Sequence, residues 1–177
     1  MKSMQPINMA SLPGPHDITR VQLPNGITII TRSNFNSPSV VIQGYLPAGS
    51  LYDPRDKYGL AYFTALGLMR GTQTRNFQEI YDVLESAGAS LGFSASVHNM
   101  TFGGRCLSED LPLLLNILAE ALQTPVFPTD QIERLRSQLL TGLAIRAQDT
   151  ADQASMAFDK ALFGDHPYGV PEDGFPE

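Results

Sequence analysis

The 177-residue sequence predicts an α+β fold, a mainly antiparallel sheet with helices packed on one face. Three observations carry that expectation. Strand-like alternation of apolar and polar residues falls into two groups, residues 18–46 and 89–107, with helical patterns after each. Asn25-Gly26 lies between two apolar runs, a strong hairpin signal because both residues tolerate positive φ. A block of three helical patterns then closes the chain, and antiparallel neighbours followed by such a block bury one sheet face under helices.

The elements follow in order. Residues 1–17, rich in proline and small polar residues, read as a loose arm, and residues 18–177 as the folded domain. Strands are expected at 18–23 and 27–31 around Pro24-Asn25-Gly26, and a third at 40–46. A loop over 47–57 leads to a helix at about 58–70, apolar almost all round, as a buried core helix should be. Asn76 with Glu79 forms a capping-box pattern ahead of a helix at 77–87, whose Ile80, Val83, Leu84 and Ala87 recur at helical spacing before Gly88. Strands at 89–97 and 101–107 meet at a His98-Asn99 turn. Ser108 is expected to cap the next helix, with Leu111, Leu114, Leu115, Leu118 and Leu122 as its inward stripe. Helices at about 130–146 and 151–163 complete the order.

Composition narrows the function classes. A formal net charge of −6 leaves no general basic surface for nucleic acid, and Arg134, Arg136 and Arg146 share their helix with Glu133 as a solvated face. Cys106 is the single cysteine, so no intrachain disulfide forms, and its strand-like setting predicts a buried thiol rather than a nucleophile. The opening residues lack the apolar core of a secretory signal and the arginines of a mitochondrial presequence. No run approaches the roughly 20 apolar residues of a membrane span. The expected setting is the cytoplasm, or the mitochondrion or periplasm if a targeting segment has been removed.

Several segments carry a family resemblance. GLAYFTALGLMRGT at Gly59–Thr72 resembles the metal-binding helix of the pitrilysin/insulinase zinc peptidases, which include the mitochondrial processing peptidase; active members read approximately G-L-A-H-F-x-E-H-x-x-x-x-G-T. LPNGITII resembles their opening hairpin, LPAGSLYDP the loop before the metal helix, and ESAGASLGFSA an E-x-x-G-x-x-x-N-A strand. ERLRSQLL is similar to the helix giving the third metal ligand, and FGDHPYGVPEDG to a late-domain segment. The resemblance runs from about residue 19 to 174 and implies most of one amino-terminal domain of a two-halved peptidase.

What the resemblance implies for chemistry is a loss. An active member needs two histidines at i and i+4, a glutamate on a later helix, and a glutamate between the histidines to take a proton from zinc-bound water. Here the histidine positions hold Tyr62 and Leu66, the general-base position holds Ala65, and the later ligand falls at Thr141-Gly142. The expectation is therefore no catalytic residue and no bound metal, with zinc only in an active partner subunit. His16, His98 and His166 show no ligand spacing.

The resemblance also implies a role. Family members often work as pairs in which one chain carries zinc and a similar chain without a site helps enclose the peptide. The expected partners are thus a homologous zinc-bearing subunit and peptide substrate, with neither nucleic acid nor membrane insertion. Substrate pairs with an edge strand in this family, which by resemblance falls at Ser90, Leu91, Gly92 and Phe93, where Gly92-Phe93 replaces the usual Asn-Ala. Two alternatives stay open: a structural core-type subunit of a larger complex, and an active metallopeptidase domain using other ligands.

Overall fold

A computed structural model describes residues 14–176; most of the expected arm, residues 1–13, lies outside them. The chain divides into two compact units at Pro38/Ser39. In the first, β1 (Ile18–Gln22) and β2 (Thr28–Arg32) pair antiparallel, Ile18 opposite Arg32 and Gln22 opposite Thr28. A turn forms where the sequence predicts it, but of Asn25 and Gly26 only Gly26 takes positive φ, at +89°; Asn25 Oδ1 accepts from the Ile27 amide at 3.2 Å. Asp17 pairs with Arg32 at 2.6 Å, and this guanidinium holds the exposed Asp17 carboxyl below its ordinary range.

The second unit is built on a three-stranded antiparallel sheet in the order β3-β5-β4, formed by β3 (Ser39–Leu46), β4 (Ser90–Ala95) and β5 (Met100–Leu107). Alternation assigns each position to a face. Leu91, Phe93, Ala95, Met100 and Cys106 turn inward and are buried, joined by half-buried Val40, Ile42 and Phe102. Phe102 lies across its register partner Gly44, where a Cβ would sit 2.2 Å from the ring, so only glycine fits. The opposite face carries Val41, Gln43, Tyr45, Ser90, Gly92, Gly103 and Arg105, all exposed.

Three helices cover the inward face: α1 (Leu60–Gly67), α2 (Phe77–Ser86) and α3 (Leu111–Gln123). The Asn76–Glu79 capping box is present in full, each side chain meeting the other's backbone amide. Two expectations about α3 are corrected. Ser108 begins a short 3-10 turn, Ser108–Asp110, instead of capping the helix. Of the expected inward stripe, Leu114 and Leu118 are buried and Leu111 and Leu122 pack against the core, but Leu115 is 45% exposed and Ile117 and Ala121 are buried in addition. The helix is rolled so that Ile117 and Ala121 reach the core side and Leu115, at its margin, leaves it.

Helix α1 is also not buried all round. Ala61, Ala65 and Gly67 are buried, Tyr62, Phe63, Thr64 and Leu66 are half-buried, and Leu60 is exposed. The helix lies between the sheet and α4 (Thr129–Arg146), with one side left uncovered. Beyond it, α5 (Thr150–Phe163) starts at Asp149, whose carboxylate accepts from the Ala151 and Asp152 amides.

Candidate functional site

The candidate site lies where α1 meets β4, and the loop before the helix sets α1 in place. Asp53 accepts from the amides of Gly59 (2.9 Å) and Ala61 (3.0 Å), putting a negative charge at the positive end of the helix. Gly49, earlier in that loop, abuts the carbonyls of Ser96 and Val97 so closely that a Cβ would lie 2.3 and 2.4 Å from them. Ser50 and Leu51 donate to those same carbonyls at 3.1 and 2.9 Å, fastening the loop to the end of β4.

The far side of the helix start is equally fixed. Gly59 has φ +92°, and a Cβ there would lie 2.8 Å from the Asp173 carbonyl oxygen. Arg146 bonds both Asp173 and the Gly174 carbonyl, the latter at 2.8 Å, and its side chain is only 16% exposed. The solvated-face reading of the α4 arginines is corrected at this residue, because a partner 27 residues further on claims it. Arg134 remains exposed, and Arg136 lies over the Phe63 ring at 5.8 Å, linking α4 to α1.

On this frame the donor set does not fit zinc. Tyr62 and Leu66 are half-buried on α1, and Ala65 between them is fully buried. None carries an imidazole or carboxylate. The Tyr62 hydroxyl has no hydrogen-bond partner among the described residues and is not sealed in the core. Thr141 and Gly142 are exposed on α4, and the Thr141 hydroxyl donates at 2.9 Å to Ser137 of its own helix. Among the described residues no group of three or more His, Cys, Asp or Glu side chains could hold a metal.

The backbone side of the site is open. Strand β4 lies at the edge of the sheet, bonded to β5 on one side only, and α1 packs beneath it. Leu91 and Phe93 point into the core, whereas Ser90 and Gly92 face solvent.

Two polar clusters escaped the sequence reading. Glu120 on α3 accepts from Thr74 (2.6 Å), Thr72 (3.2 Å) and Asn116 (2.8 Å) and pairs with Arg75. The Arg75 guanidinium foremost holds its carboxyl below the ordinary value, against burial. This knot ties α3 to the segment between α1 and α2. In the second cluster Tyr168 meets His98 across 70 positions, hydroxyl to Nε2 at 3.0 Å, while His166 Nδ1 accepts from the Tyr168 amide at 3.2 Å. Only the His98-Asn99 turn and the D-H-P-Y-G segment hold its residues, and neither points to the other. Cys106 is buried as expected, and burial pushes its thiol pKa up.

The site is thus a helix packed under the edge strand of an antiparallel sheet, with a later helix laid against it. The sequence profile of the insulinase family, peptidase family M16, matches residues 28–170, and the chain belongs to that family. It is 28% identical over 155 residues to an uncharacterised zinc protease of Mycobacterium tuberculosis, covering 88% of this chain and 35% of the relative. With the beta subunit of the mitochondrial-processing peptidase of Saccharomyces cerevisiae it shares 31% identity over 145 residues, 82% of this chain and 29% of that one. Among solved structures, a peptidase M16 inactive domain from Pseudomonas fluorescens superposes with a TM-score of 0.84 at 26% identity, covering 90% of this chain and 39% of that chain. The chain thus spans about a third of the length of these curated relatives. No described helix is long and apolar enough to cross a membrane.

Proposed function

We propose that this domain is a non-catalytic member of its family that pairs with a homologous zinc-bearing peptidase subunit and helps enclose and bind peptide substrate. One observation carries the reading. The frame of an M16 site is kept in detail, Asp53 capping α1 and α1 lying under β4, while its ligand and general-base positions hold Tyr62, Ala65, Leu66, Thr141 and Gly142. A frame retained without its chemistry suits a domain whose shape is used by another subunit. Support comes from the Pseudomonas fluorescens neighbour, described as an inactive domain, and from the yeast relative, described as one subunit of a processing peptidase.

Peptide binding is assigned to β4. Its outer amides and carbonyls are unpaired among the described strands, and an extended segment gains main-chain hydrogen bonds by adding there as a further strand. Ser90, Leu91, Gly92 and Phe93 supply that edge. Zinc and hydrolysis belong to the partner subunit.

The test is reconstitution. The chain is assayed for zinc by elemental analysis and for peptide hydrolysis alone, a homologous subunit with an intact H-x-x-E-H alone, and then both together. The expected result is no zinc and no hydrolysis from this chain, with activity of the pair above that of the zinc subunit. Chelator-sensitive hydrolysis by this chain alone would overturn the proposal.

A further inference from the structure

We propose that the β4 edge selects peptide strands carrying an acidic side chain two positions from a large apolar one, read respectively by Arg105 and by the gap above Gly92 and Gly103. This rests on the reading of β4 as a peptide-binding edge. It concerns the face of the sheet turned away from the helices, which the metal-site geometry leaves without a role.

The register arranges that face in rows across the three strands. Val41, Arg105 and Ser90 form one row, and Gln43, Gly103 and Gly92 the next. In the second row two neighbouring positions lack side chains, and a Cβ placed at either Gly92 or Gly103 meets nothing within 4 Å. Two shallow cavities of about 260 and 320 Å³ lie over this region, and both are lined by Gln43 and Gly103.

Charge supplies the second, separate observation. Arg105 is the only charged residue in the three strands of this sheet, in a chain whose net charge is −6. It is exposed and has no ion-pair partner among the described residues, which is also true of Arg20, Arg55 and Arg134; what sets it apart is its place on an otherwise uncharged sheet face. An unpaired cation on an otherwise uncharged face favours a ligand of opposite sign.

A strand added outside β4 follows the same alternation, so residues opposite Ser90 and Gly92 both turn to the open face. Neighbouring strands lie about 4.8 Å apart. The residue opposite Gly92 therefore faces about 10 Å of bare backbone before Gln43, room for an aromatic or leucine side chain to lie flat. The residue opposite Ser90 is a similar distance from the Arg105 backbone, with only a serine between. A glutamate and an arginine reaching toward each other span that gap. Ser90 and Gly92 are two residues apart, so the acidic-x-apolar spacing holds for parallel or antiparallel addition.

The experiment measures binding of fluorescein-labelled decapeptides to this chain by anisotropy, using cores Glu-Thr-Phe, Lys-Thr-Phe and Glu-Thr-Ala in one flanking sequence. The Glu-Thr-Phe peptide is expected to bind about three- to fivefold more tightly than the Lys-Thr-Phe peptide, as suits a partly exposed ion pair, and the preference should shrink at 1 M salt. R105E is expected to invert the charge preference. Gly92→Val, at a position with open space for its side chain, should erase the advantage of Phe over Ala. Circular dichroism of both variants verifies folding. Equal binding of acidic and basic peptides, unaltered in R105E, overturns this inference and leaves edge binding standing; failure of all three peptides to bind overturns both. Sedimentation showing that copies of the chain pair through this edge, with no displacement by peptide, also overturns it.

Discussion

At the residue scale, Asp53 fixes the start of α1, the helix that the proposed function reads as left without metal ligands. Asp53 satisfies two amides at the start of α1. Asp53→Ala should therefore destabilise the chain by about 1 kcal/mol, measured by urea unfolding. Glu120 makes a pH-dependent contribution whose sign is fixed. Its native pKa lies below the ordinary 4.5, Arg75 being the main cause. The ionised carboxylate thus stabilises the native state above about pH 4.5, and that contribution is lost as pH falls through the lowered native value. Glu120→Gln should be less stable than wild type at pH 7 by about 1–3 kcal/mol. The gap should narrow below pH 4.5, as followed by denaturant midpoints across pH. Asp17 and Asp165, also lowered, are present in both proteins and cancel in the difference.

At the scale of elements, α1 packs on α4, and the proposed function places the absent ligands on these two helices. Gly142 opens onto free space, so a longer side chain meets no obstacle at its Cβ. Tyr62 and Leu66 are half-buried rather than sealed in the core. The triple variant Y62H/L66H/G142E should take up about one zinc per chain by elemental analysis, where wild type takes up none. It should remain without hydrolytic activity while residue 65 is alanine, because no carboxylate there accepts the proton of a bound water. Uptake of zinc by wild type would show that the ligand positions have been misplaced.

The elements also show what was readable in the chain. Period-two alternation and Asn-Gly chemistry located every strand to within two residues, because the sheet buries one face and its turns are tight. The stripe of α3 was readable except at its margin, where the choice between Leu115 and Ile117 depends on how the helix is rolled against the sheet. Likewise α1 reads as apolar on all sides, yet which sides are covered depends on where α4 lies. The assignment of Tyr62, Ala65, Leu66 and Thr141-Gly142 to ligand positions rests on the resemblance of their segments to the family's motifs and is carried by the proposed function. The Tyr168 contact with His98 was not legible, because local pattern carries no information about partners 70 residues apart.

At the scale of the whole second unit, residues 173 and 174 are joined to its first helix. Removing residues 173–177 takes away the Asp173 partner of Arg146, the bond to the Gly174 carbonyl and the backbone packed on Gly59. The shortened chain should be destabilised by about 2–4 kcal/mol, seen as a lower denaturant midpoint. Arg146→Ala in the full chain should reproduce much of that loss.

The close approach of Gly174 to Gly59 and the Tyr58 carbonyl has a further consequence for how this unit comes into being. It is a clasp between positions about 115 residues apart, so the entropy of bringing those ends together must be overcome before the contact returns anything. During synthesis the start of α1 waits, its glycine unmet, until nearly the whole unit has left the ribosome. Completion of this contact is thus timed by residues more than a hundred positions further along the chain.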